Sequence, residues 1–73
     1  MDASELARHR QEYMNELKRY CKEKVRNGPY PDEDEFEYFM SMVPDSEIVY
    51  NVEHGLSPMK TIEPLVYYNI VCF

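Results

Sequence analysis

Glu47-Ile48-Val49-Tyr50-Asn51-Val52-Glu53 and, after eleven intervening residues, Leu65-Val66-Tyr67-Tyr68-Asn69-Ile70-Val71-Cys72-Phe73 are the two stretches whose reading decides the fold. Both are rich in β-branched and aromatic residues, which lose side-chain freedom in a helix and suit a pleated surface. His54-Gly55 and Ser57-Pro58 are turn signals between them, and Pro64 stands where a strand opens without losing a ladder bond. The two stretches therefore predict an antiparallel strand pair over about 47–53 and 65–73.

Upstream, the pattern is helical. Ser4 is a candidate cap for a helix running to about Arg26, and Asn27-Gly28 followed by Pro29 and Pro31 supplies a C-cap and a stop. At 100° per residue, Leu6, Tyr13, Met14, Leu17, Tyr20, Cys21 and Val25 share one broad sector. Arg8, Lys18, Arg19, Lys22 and Arg26 fall opposite, bordered by Glu5, Glu12, Glu16 and Glu23. That basic stripe is either a solvated face with i,i+4 ion pairs or a rail for phosphates, and the acids beside it oppose a polyanion.

A second helix is expected over about 33–43. Asp32 and Glu35 have the spacing of a capping box, and Phe36, Phe39, Met40 and Val43 follow at i, i+3, i+4 and i+7 up to Pro44. With the helix of about 4–26 it forms a hairpin, so the chain reads as one small α+β domain over residues 1–73. The alternative is an all-α small bundle with a helix-turn-helix-like turn at 55–63. Its basis is local: Glu47-Ile48-Val49, Val52, Gly55-Leu56-Ser57-Pro58 and Lys60-Thr61-Ile62-Glu63 resemble the turn of a helix-turn-helix of the LuxR/GerE type. The resemblance covers about seventeen residues and implies a dimeric DNA binder in which the glycine permits the turn and Ser57-Pro58 starts the recognition helix. The chain departs from that pattern at Met59, an extra residue, and at Pro64, which interrupts the recognition helix. It also offers no Arg or Lys after Lys60.

Seventy-three residues are enough for one small domain and too few for most enzymes. No G-x-S-x-G elbow is present, and two glycines cannot build a phosphate-cradling loop, so no catalytic residues and no cofactor are expected. His9, Cys21, His54 and Cys72 lack metal-ligand spacing, so no metal is expected either. Two cysteines fifty-one positions apart make a poor disulfide framework, and free or buried thiols are expected. The absence of a signal-peptide pattern or a long apolar run points to the cytoplasm and away from a membrane.

Charge is unevenly distributed. Residues 1–27 carry seven basic side chains against five acidic, a net +2, whereas residues 28–73 carry Lys60 against nine acids, a net −8. Seven tyrosines, with Tyr67 and Tyr68 adjacent, accompany an apolar C-terminal stretch that needs cover from another protein or a second copy. These features predict a small acidic, non-enzymatic protein-binding module, a regulatory inhibitor that occludes a partner protein's groove. Asp32, Glu33, Asp34, Glu35 and Glu37 would supply charge, and Tyr38, Tyr67 and Tyr68 would be anchors. A basic nucleic-acid-binding protein suits that charge as partner, with no direct nucleic acid contact. In a variant of the same idea the carboxylates mimic DNA phosphates, as in inhibitors that viruses and phages make against host defence enzymes.

Overall fold

The computed structural model describes residues 1–25 and 28–71, and among these every regular element is helical. Helix α1 spans Ala3–Lys24, α2 Glu33–Ser41, α3 Asp45–Glu53 and α4 Met59–Val66, and α4 continues into one π-helical turn, Tyr67–Val71. The α+β expectation is thus overturned: residues 47–53 lie in α3, and 65–71 belong to the end of α4 and the π turn. The all-α alternative fits. Cys72 and Phe73 lie outside the described residues, as do Arg26 and Asn27; α1 ends at Lys24 with the extended Val25 as its C-cap, short of the expected end at about Arg26.

The helix caps explain the first half. Asp2, not Ser4, caps α1, its Oδ1 accepting from the Glu5 amide at 2.8 Å, so the cap lies two residues before the expected position. In α2 the capping box is complete: the Glu35 amide donates to Asp32 Oδ1 at 2.8 Å and the Asp32 amide to Glu35 Oε1 at 3.4 Å. Along α1, Tyr13, Leu17 and Cys21 are buried at i, i+4 and i+8, the stripe on which the other helices pack.

Two features make α3 a helix despite its β-branched residues. Pro44 takes an extended conformation at the N-cap, and Asp45 and Glu47 put acids in the first turn, where the helix dipole favours them. At the far end Gly55 adopts φ +66°, its amide donates to Val52 O at 3.2 Å, and the Leu56 amide donates to Asn51 O at 2.8 Å. That pair of bonds is a Schellman motif, a helix stop rather than a hairpin turn. Within α3 the buried positions are Ile48 and Asn51, with Val52 packed beside them: spacing three and four, not two.

Pro58 precedes α4, and the Thr61 and Ile62 amides both donate to its carbonyl at 3.0 Å. Ser57-Pro58 therefore starts a helix, as the helix-turn-helix resemblance implied. Thr61, Ile62 and Val66 face inward, whereas Pro64 is exposed. Its ring faces solvent, and the amide it lacks leaves the Lys60 carbonyl without its usual helical donor. Downstream, the Tyr67 amide is shared between Glu63 O and Pro64 O, and the helix widens into the π turn. Helix α1 packs against α2, α3 and α4, so it is the spine of the bundle. No helix among the described residues is long and apolar enough to cross a membrane.

Candidate functional site

Three of the five acidic residues singled out in the sequence are engaged within the chain. Asp32 and Glu35 close the capping box, and Glu33 accepts an ion pair from Lys18 of α1 at 2.6 Å. Asp34 and Glu37 are exposed, with no ion pair among the described residues. Part of the basic stripe of α1, Arg8, Lys18 and Arg19, is paired in the same way. Arg19 Nη2 pairs with Glu16 and Nη1 with Glu23, each at 2.7 Å, and Arg8 lies 4.0 Å from Glu12. These carboxylates raise the pKa of Arg19 above its ordinary value, Glu16 contributing most. A phosphate would have to displace them.

The tyrosines are placed differently from the acids. Tyr67 and Tyr68 are 54% and 68% exposed and meet edge to face with ring centroids 5.1 Å apart. They stand on the π turn rather than on opposite faces of a strand. Tyr38 is exposed on α2, its ring 5.8 Å from that of Phe39, and it lines neither of the large clefts beside α4. The structure thus unites Tyr67 with Tyr68 and leaves Tyr38 apart.

Those clefts, of about 470 and 460 Å³, flank α4 and share Lys60, Pro64 and Tyr68 as the ridge between them. The larger one runs between α3 and α4, with Tyr50 and Tyr68 on its rim. Tyr50, 55% exposed, stacks on His54 at 4.0 Å between centroids. The floor is a polar chain that reaches the core. Asn51, buried in α3, donates from Nδ2 to Tyr13 Oη at 3.1 Å and to Thr61 Oγ1 at 2.9 Å, and Thr61 donates in turn to Glu47 Oε2 at 2.6 Å. Among the described residues no buried side-chain polar atom lacks a partner.

Tyr50, Asn51, Thr61 and Glu47 had no place among the sequence-derived site residues. The strand reading gave Asn51 and Glu47 no spatial relation to Thr61; helical spacing was the signal that would have joined them. Arg10 was missed as well. It donates to Met40 O at 3.2 Å and Val43 O at 2.9 Å and pairs with Asp45, clasping the end of α2 to the start of α3. Cys21 is buried and free, and desolvation pushes its thiol pKa up. Cys72 lies outside the described residues. Comparison of the chain with protein-family models, curated proteins and solved structures gives no match.

Proposed function

We propose that this chain is a small acidic, non-enzymatic protein-binding module, a regulatory inhibitor that works by occluding a groove on a basic partner protein. The observation that carries this reading is the aromatic ridge: Tyr68, paired with Tyr67, divides two open clefts, and Tyr50 lines the far wall of one. Exposed tyrosines held by neighbouring rings bring large contact area at small entropic cost, the profile of interface anchors. The exposed charges on α3 and α4 are Asp45, Glu47, Glu53 and Glu63 against Lys60, which favours a basic partner and repels phosphates. For that reason the helix-turn-helix geometry around Gly55 does not lead us to DNA binding. Mimicry of DNA by the α2 acids is weakened by the capping box and the Lys18 pair, which leave only Asp34 and Glu37 unengaged.

The test is co-purification of the full chain from a native extract, comparing wild type with Tyr67→Ala/Tyr68→Ala and with Asp34→Asn/Glu37→Gln. The second pair replaces acids that hold no structural bond, so folding is left intact. A specific partner lost with the tyrosine variant is the expected result. A partner retained equally by all three proteins removes the ridge from the interface.

A further inference from the structure

The geometry points to the α3–α4 cleft as a receptor for a guanidinium group, the arginine side chain of a partner protein. This deepens the protein-binding reading and rests on it for the identity of the occupant. Glu47 is exposed and enters no ion pair among the described residues, yet its carboxylate is not free to wander. Its Oε2 is fixed at 2.6 Å by Thr61, whose hydroxyl is fixed in turn by the buried Asn51. One carboxylate oxygen is thereby fixed, and Glu47 lines the cleft with its second oxygen in no hydrogen bond among the described residues. A carboxylate positioned by a buried network needs little reorganisation on binding, which is the condition under which a two-pronged donor binds well.

The walls suit the same group. Tyr50 is braced by His54 and Tyr68 by Tyr67, so both rings on the cleft are held by stacking or edge contacts before any ligand arrives. A planar, weakly hydrated guanidinium stacks on tyrosine faces and forks onto a carboxylate at once, which an ammonium does less well. A cleft of about 470 Å³ accommodates an arginine side chain with room for its backbone outside. Lys60 shares the cleft and opposes a cation there, and among the described residues it forms no ion pair with Glu47. It is exposed on a flexible stem, so it can swing away. Its presence gives the site a sign test: removing Lys60 must strengthen the binding of a cation and weaken that of an anion.

The experiment is an NMR titration of the intact chain with N-acetyl-arginine methylamide, its neutral citrulline analogue and N-acetyl-aspartate methylamide. The Asn51 side-chain amide and the Thr61 and Tyr68 backbone amides report. Saturable shifts confined to these residues are expected with the arginine compound alone. Glu47→Gln keeps an acceptor for Thr61 and should weaken the affinity about tenfold or more. Lys60→Gln should tighten it, and Tyr68→Ala, a change at an exposed position, should weaken it without unfolding the chain. Equal shifts with citrulline, a preference for the aspartate compound, or indifference to both Glu47→Gln and Tyr68→Ala would each overturn the assignment. None of these outcomes depends on finding the partner. A partner that needs Tyr67 and Tyr68 but ignores Glu47→Gln would leave the protein-binding proposal standing and remove this one.

Discussion

Asn51 is the residue on which stability and the candidate site both depend, and its replacement by alanine makes a quantitative prediction. The side chain is 3% exposed and supplies two hydrogen bonds, to Tyr13 and to Thr61. Losing the first strands the hydroxyl of Tyr13, itself 1% exposed, and a buried polar group left without its partner costs about 1–2 kcal/mol. The second loss is smaller, because Thr61 keeps its bond to Glu47; about 0.5–1 kcal/mol is appropriate. The sum, about 1.5–3 kcal/mol, is roughly a third or more of the ~3–5 kcal/mol that a core of this size supplies. With a urea m-value of about 1 kcal/mol/M, the unfolding midpoint followed by circular dichroism should fall by about 2 M.

A double-mutant cycle sharpens the same prediction. Tyr13→Phe removes the hydroxyl that Asn51 serves, so Asn51→Ala should cost about 1 kcal/mol less in that background than in wild type. Additive costs for the two changes, or a midpoint shift below about 0.5 M for Asn51→Ala with m unchanged, would refute the inference that this polar chain is a stabilising part of the core.

Three further perturbations follow from the structure. Arg10→Met keeps the aliphatic stem but removes the bonds to the Met40 and Val43 carbonyls and to Asp45; a loss of about 1–2 kcal/mol in urea unfolding is expected, well above that of Arg8→Met, whose partner is 4.0 Å away at the surface. Gly55→Ala meets no atom within 4 Å of the added Cβ, so the cost is the left-handed backbone alone, about 1 kcal/mol, and Gly55→Asn should recover part of it. Because burial raises the Cys21 thiol pKa in the folded state, its contribution to stability is complete below the ordinary thiol range and is lost as pH rises beyond about 8.5. Urea unfolding across pH 7–10 should therefore show a decline in wild type steeper than in Cys21→Ala, and parallel pH curves would contradict it.

The helical half of the sequence was legible because its signals are local and redundant. Asp32 and Glu35 bond to each other's backbone, and Tyr13, Leu17 and Cys21 repeat every four residues on one long element. Residues 47–53 were not legible in that way. Ile48, Tyr50 and Val52 alternate as a strand would, while Ile48, Asn51 and Val52 have helical spacing, and seven residues are too few for periodicity to decide. Composition favoured a strand; the arbiter was the ends. Pro44 followed by Asp45 and Glu47 is a helix start, and Gly55 is a helix stop, but His54-Gly55 reads equally as a hairpin turn until its hydrogen bonds are seen. Pro64 misled for a related reason: a helix-interior proline is unfavourable, yet on the solvent side of α4 it costs one backbone bond at an exposed position.

The same change from strand to helix alters what the site is made of. In a strand, Glu47, Val49 and Asn51 would share one face and Tyr50 the other, and none would be fixed relative to Thr61. In α3 the step of four residues from Glu47 to Asn51 sets both toward α4, where Thr61 bonds to each, and Tyr50 is carried to the rim of the same cleft. A buried asparagine is a costly way to fill a core position in so small a domain, since an apolar side chain would pack there without needing partners. What the polar choice adds is orientation: it carries rigidity from Tyr13 in α1 outward to an exposed carboxylate. The acidic stretch at the start of α2, more conspicuous in the sequence, has most of its carboxylates occupied in building its own helix, whereas Glu47, inconspicuous there, is the acid that the fold holds ready.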